Sequence, residues 1–444
     1  MNTATDLAQT MDELLKPLYD VDKPGAAVIV VRDGGVIFRK GYGMANLELG
    51  VPIEPHMVFR LGSITKQFTA VCILMLMEQG KLNLQDDMTR FLPDYPTGGR
   101  TITIEHLLTH TSGIKSYTDM PEWLPFWRKD MSVDELINLF KDQPFDFEPG
   151  ENFKYNNSGY ILLGAIIEKI SGMKYAEFVQ QNIFEPLEMT HSLYDDAERI
   201  IPGRVAGYSK GMNGFVNAAY LSMSQPYAAG SLASSVDDLA LWDSALNTNK
   251  LLQPESLALA FKPYTLKNGD STGYGFGWAV GEYAGLPIIQ HDGGIHGFST
   301  SGILVPTEKT YVAVLTNNDS SETSTTAVAL KLAGLAIGHP VIEPQYIEMP
   351  EAALNEYIGV YQINGIEERI ITRNGAQLFS RRGGGKRFEI HPIGSDTFLI
   401  KDLPDRFMFT RNENGQVIGM QVLRIFGPPE RCPLIDKPLP PDES

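Results

Sequence analysis

The sequence predicts an α/β (α+β) domain, in which an antiparallel sheet is interrupted by a helical insertion, followed by a small all-β barrel. Three observations predict it. The chain has 444 residues, whereas a single hydrophobic core stops growing near roughly 250 to 300 residues, so more than one core is expected. β-rich runs flank a middle region that carries helix start signals. Beyond residue 340 the texture changes to short alternating runs broken by Asn-Gly turns.

Taken in order, residues 1–20 (MNTATDLAQTMDELLKPLYD) have no basic start and no apolar core segment, and read as an amphipathic helix rather than a secretion signal. Ala26 to Val31 and Val36 to Gly41 are β-rich and joined by Asp33-Gly34-Gly35, which suits the positive φ values of a tight hairpin. From Ser63 to about Ala260, including the apolar run Phe68 to Met77, the pattern turns mostly helical, and Ser132 and Ser235 are placed to cap helix starts. Strands return at Tyr274 to Tyr283, Leu286 to Gln290, Ser301 to Val305 and Tyr311 to Leu315. Ser324 to Ile337 reads as a closing helix that backs the sheet together with the N-terminal helix. Pro340, Pro344 and Pro350 mark a linker over 341–350, between a first domain over 1–340 and a second over 351–444. In the second, Asn364-Gly365, Asn374-Gly375 and Asn414-Gly415 separate short runs between Tyr357 and Ile425, as in a small barrel or sandwich. Arg381 to Arg387 (RRGGGKR) reads as a flexible basic loop.

Composition excludes several classes. A formal net charge of −17 disfavours nucleic acid and anionic lipid as partners. The longest apolar stretch, Ala70 to Met77, is too short for a membrane span. The chain as written is expected in the cytoplasm, or in the periplasm or outside the cell if a leader was removed. The two cysteines, Cys72 and Cys432, support neither a disulfide framework nor a metal site. The eight histidines include no H-E-x-x-H; the pairs His106/His110 and His291/His296 lack a third ligand, and packing or capping accounts for the first pair, which is helix-spaced. No metal and no cofactor is expected. Glycine fragments at Gly41-Tyr42-Gly43 and Gly384-Gly385-Lys386 do not complete a phosphate loop.

Three short motifs carry candidate chemistry. In Ser63-Ile64-Thr65-Lys66 the spacing of three puts Ser63 and Lys66 on one helical face at a helix N-terminus. A serine hydroxyl becomes nucleophilic once a base accepts its proton, and a buried lysine loses its charge readily enough to serve. Taken alone, the pattern equally describes an N-cap serine and a surface lysine. Tyr155-Asn156-Asn157 precedes an expected helix from Ser158 to Ser171; Tyr155 suits proton relay and Asn157 offers an amide to Lys66 and to a substrate. The bland alternative is a buried tyrosine beside a capping asparagine. His291-Asp292-Gly293-Gly294 follows a strand; its glycines let a substrate backbone approach, and the Gly294 and Ser63 N–H groups suit an oxyanion hole, with His291 as a pocket wall. A simple turn is the alternative there. Gly207-Tyr208-Ser209-Lys210-Gly211 matches a G-x-S-x-G elbow, but Met212-Asn213-Gly214 continues a turn instead of opening a helix, so Ser209 reads as a loop serine.

The order S-x-x-K, Y-x-N, H-x-G resembles the serine β-lactamase and penicillin-binding-protein superfamily, specifically its class C-like branch of DD-carboxypeptidases, D-aminopeptidases and family VIII esterases. Residues 102–113 (ITIEHLLTHTSG), Phe147-Glu148-Pro149-Gly150 and Ala229-Gly230-Ser231-Leu232 extend the resemblance over roughly residues 10 to 340. It implies a β-lactamase/transpeptidase-like domain with Ser63 as acylated nucleophile, Lys66 and Tyr155 as acid/base pair, and Asn157, His291 and Gly293 as substrate contacts. Histidine in H-x-G, where dedicated β-lactamases more often carry lysine, resembles the peptidase and esterase members. The C-terminal segment resembles the lipocalin-like domains of some D-aminopeptidase relatives. The resemblance thus implies a serine hydrolase, a D-stereospecific peptidase, amidase or carboxylesterase, acting on a small molecule or short peptide with an ester or amide carbonyl. Weak β-lactam turnover and a non-catalytic binding role are the alternatives, and a homo-oligomer is left open.

Overall fold

The computed structural model describes residues 4–440 apart from 322, 343, 364, 366, 384, 386 and 401–404. The chain divides into two compact units, Met1–Val341 and Ile342–Ser444. Among the described residues no helix is long and apolar enough to cross a membrane.

The first unit is built on a six-stranded sheet in the spatial order Ala279–Tyr283, Leu286–Ile295, Phe298–Val305, Thr310–Thr316, Ala26–Arg32 and Gly35–Tyr42. All neighbours are antiparallel, and the ends of the chain segment meet where Ala26 pairs with Thr316 and Arg32 with Thr310. Thr310–Thr316 is buried at every position, which for a strand requires cover on both faces. Helix Thr325–Ala336 and helix Val236–Leu246 both pack against it, and Ala4–Leu15 lies beside Thr325–Ala336. The expected closing helix, capped by Ser324, and the expected N-terminal helix therefore back the sheet.

The helical insertion forms around Thr65–Glu78, whose residues are buried from Thr65 to Leu74. A helix apolar on nearly all sides has to sit at the centre of its layer, and Asn157–Ser171, Tyr175–Val179 and Tyr227–Gly230 surround it. Two strand boundaries differ from expectation. Tyr274 to Trp278 is a turn rather than a strand, closed by Gly275 N–H donating to the Trp278 carbonyl at 2.8 Å. Conversely, the strand expected to stop at Gln290 continues through the His291 motif to Ile295, because Phe298–Val305 pairs along it. Composition is β-rich in both stretches, and only pairing decides between them.

The second unit is a closed antiparallel barrel of eight strands, completed where Val360 pairs with Ile435. Tyr361, Ile371, Phe398 and Phe407 fill its core. Arg381 to Arg387 is not one flexible loop: Arg381 and Arg382 end strand Gln377–Arg382 and Arg387 begins Arg387–Gly394, while 384 and 386 lie outside the described residues. Arg382 is held by Glu367 and Glu430. Both cysteines are free and buried.

Candidate active site

Ser63 lies in a 3-10 turn, Gly62–Ile64, that runs directly into helix Thr65–Glu78. The turn is stitched on both sides. Phe59 and Arg60 pair with Ser234 and Ala233, Leu61 N–H donates to the Leu232 carbonyl at 2.9 Å, and Thr300 Oγ1 donates to the Leu61 carbonyl at 2.8 Å. Arg60 Nε reaches Asp195 Oδ2 at 2.7 Å, and Asp195 is wholly buried. A half-buried serine is thus fixed at the positive end of a buried helix, where developing negative charge is favoured.

Lys66, one turn on, is fully buried. Its Nζ lies 3.0 Å from Ser63 Oγ, 2.8 Å from Asn157 Oδ1 and 2.9 Å from the Ala229 carbonyl oxygen. The rings of Tyr155 and Tyr160 close over it at 4.8 and 5.4 Å. Burial drives its pKa well below the usual lysine value, and the charge of Asp292 opposes this only in part. In the neutral amine two N–H bonds serve the two carbonyl oxygens, and the lone pair is left for the serine proton.

Tyr155 precedes helix Asn157–Ser171, which Asn156 caps by accepting from Gly159 N–H at 2.8 Å. Desolvation raises the Tyr155 phenol well above its usual pKa, with a hydrogen bond to Ser63 acting the other way. It is therefore a protonated donor next to the serine. Asn157 is fixed from its other side, Nδ2 donating to Thr118 Oγ1 at 3.0 Å.

His291 is buried, and both ring nitrogens are engaged: Nδ1 sits 2.6 Å from its neighbour's carbonyl, Asp292 O, and Nε2 sits 2.8 Å from Tyr274 Oη. Burial lowers its pKa to about 4 against the pull of Asp292, so the ring is neutral at pH 7. The tautomer follows: Nδ1–H donates to the carbonyl and Nε2 accepts from Tyr274. Gly293 is required by space, since a Cβ there would stand 1.9 Å from the Leu61 carbonyl oxygen. Gly62, at φ +55°, brings the next N–H in, because a Cβ on it would lie 3.1 Å from Gly294 N. The Gly294 amide is thereby placed beside the Ser63 turn.

Ser63, Tyr155 and Asn157 all meet Lys66, and the His291-Asp292-Gly293-Gly294 strand edge borders them. Two residues at this site were not read from the sequence as part of it. Tyr274 orients His291, and His110 packs at 4.4 Å from the Tyr155 ring and 4.7 Å from the Tyr274 ring. His110 is not helix-spaced with His106: the helix ends at Leu108 and His110 adopts φ 60°. Its Nδ1 accepts from Asn156 N–H at 3.1 Å, so Nε2 carries the proton. His106 instead completes a capping box with Thr103. Ser209 sits on strand Tyr208–Gly211 and donates to Asp319 Oδ2 at 2.7 Å, with no elbow geometry. A recess of about 950 Å³ lined by Tyr95, Ile137, Lys174 and Tyr227 contains none of the site groups.

A family model described as Beta-lactamase matches residues 7–335. A penicillin-binding protein of Bacillus subtilis (strain 168) is 28% identical over 431 residues, 91% of this chain and 94% of that protein. Among solved structures, the octameric penicillin-binding protein homologue from Pyrococcus abyssi superposes with a TM-score of 0.68 at 26% identity, over 96% of this chain and 99% of its own. A D-stereospecific amidohydrolase from Streptomyces sp. superposes with a TM-score of 0.62 at 26% identity, over 73% of this chain and 98% of its own. With the family model spanning well over half of the chain, and the relatives sharing its sequence and fold, the chain belongs to the beta-lactamase family.

Proposed function

We propose that this protein is a serine hydrolase that forms an acyl-enzyme on Ser63 and acts on D-amino-acid amides, short D-peptides or small esters. The observation that carries this reading is the fully buried Lys66 with its Nζ 3.0 Å from Ser63 Oγ. Ser63 gives its proton to Lys66 as Oγ attacks the carbonyl carbon, and the Ser63 and Gly294 N–H groups take the developing oxyanion. The leaving amine or alcohol recovers a proton from the Lys66/Tyr155 pair. Water then attacks the ester, the same pair accepts its proton, and Ser63 is regenerated. Asn157 holds Lys66 and offers its amide to the substrate. His291 and Gly293 shape the strand edge along which the substrate lies, and Tyr274 keeps His291 in one tautomer. The chemistry is assigned to residues 1–340. Similarity to a D-stereospecific amidohydrolase supports amides of D configuration, and the octameric homologue supports self-association, measurable by light scattering.

The test is Ser63→Ala. Hydrolysis of p-nitrophenyl acetate and of D-alanine amide should vanish while circular dichroism is unchanged, and a fluorophosphonate should label Ser63 in the native protein. Turnover retained by a folded Ser63→Ala protein, or an adduct on Ser209 instead, overturns the assignment.

A further inference from the structure

The strand edge that borders the nucleophile carries one group the mechanism does not use. Asp292 is exposed, and among the described residues it forms no ion pair. Lys154 is held by Asp119 at 3.1 Å and Asp146 at 2.8 Å, Lys115 by Asp146 at 2.9 Å, and Arg60 by Asp195 at 2.7 Å. Lys66 is enclosed, and His110 and His291 are neutral.

Register fixes where the carboxylate stands. Side chains alternate along Leu286–Ile295, so His291 and Gly293 face the buried side while Asp292 shares the other face with Gly294. That face is open, since a Cβ on Gly294 would meet nothing within 4 Å. Two residues of strand span roughly 6.6 Å, which places Asp292 within reach of a substituent on the carbon next to a carbonyl held at Gly294 N–H. Its field also acts on Lys66, Tyr155, Tyr274 and His291.

We propose that Asp292 makes this site select acyl donors with a free ammonium group beside the scissile amide or ester and reject donors with a carboxylate there. The assignment rests on the hydrolase reading above and deepens it: the substrate is an amide, peptide or ester of an amino acid with its amine unblocked. A carboxylate in the same place would face Asp292, and like charges at such range repel.

The experiment compares kcat/KM for D-alanine p-nitroanilide, its N-acetyl derivative and its N-succinyl derivative, which are cationic, neutral and anionic. The native protein should prefer them in that order. In Asp292→Asn the cationic-to-anionic ratio should fall about tenfold or more, a change of about 1.4 kcal/mol or larger. Asp292→Glu should keep the order, and the cation preference should shrink with added salt and as pH passes the substrate amine's pKa near 8. Turnover that depends on Ser63 for all three, with a ratio unchanged in Asp292→Asn, overturns the role of Asp292 alone. Absence of Ser63-dependent turnover on all three overturns the hydrolase reading and this assignment with it.

Discussion

Replacing Asn157 by aspartate puts a carboxylate where an amide oxygen now stands, 2.8 Å from Lys66 Nζ, with almost no change in shape. In the native site the lysine is kept neutral because burial removes its hydration and its partners are uncharged oxygens. An added negative charge reverses that balance. At an effective dielectric of about 20, two unit charges separated by 2.8 Å attract by about 6 kcal/mol, equivalent to about four pKa units. Asn157 is only half-buried, so solvent trims the effect to about two to four units. A raised Lys66 pKa means that the ammonium persists to higher pH, and the ammonium has no lone pair for the Ser63 proton. The acid limb of the kcat/KM profile in Asn157→Asp should therefore move to higher pH by about two to four units. Activity at pH 7 should drop by at most roughly 10²- to 10⁴-fold and return in alkali. The assay is ester hydrolysis from pH 5 to 10 under kcat/KM conditions. A loss that is equal at every pH, with the limb unmoved, would show that Lys66 is not the group whose deprotonation controls acylation.

Gly293→Ala should lower kcat by roughly 10²- to 10³-fold, because a Cβ 1.9 Å from the Leu61 carbonyl must push the strand edge and the Gly294 amide away from Ser63; steady-state kinetics near native values would contradict the close approach. Burial raises the pKa of Asp243 to about 7, so it binds a proton in the fold that the unfolded chain has lost above about 3.8, and its contribution to stability declines as pH rises between these values. Asp243→Asn should accordingly gain stability over the native protein on going from pH 4 to pH 8, by up to about 4 kcal/mol; parallel Tm curves would refute it. In the barrel, Glu430 meets Arg369 at 3.0 Å, Arg382 at 2.8 Å and Arg424 at 2.9 Å. Glu430→Gln leaves these guanidinium groups without their carboxylate and should cost about 3 to 5 kcal/mol in urea unfolding followed by a barrel-specific probe; an unmoved midpoint would mean that the cluster is already hydrated.

The sequence by itself determined the local pieces. Apolar burial sites in Phe68 to Met77, the serine caps at Ser132 and Ser235, and the Asn374-Gly375 and Asn414-Gly415 turns encode helices, helix starts and hairpins through neighbours a few residues away, and each of these forms, while Asn364 lies outside the described residues. S-x-x-K likewise needs only helical spacing to bring Ser63 and Lys66 together. Tertiary structure decided what depends on segments distant in the chain. Whether Lys66 is neutral is set by the Ala229 carbonyl on helix Tyr227–Gly230 and by Asn157 and the rings of Tyr155 and Tyr160, which come from helix Asn157–Ser171 and the loop before it. Tyr274 read as strand because β-rich composition is blind to pairing, and only its turn aims the hydroxyl at His291. His110 read as a helix-spaced partner of His106, because an αL residue after a short helix leaves no periodic signal. Local spacing places groups along a helix or strand, whereas desolvation and Coulomb fields come from everything packed around them, and those decide which proton moves.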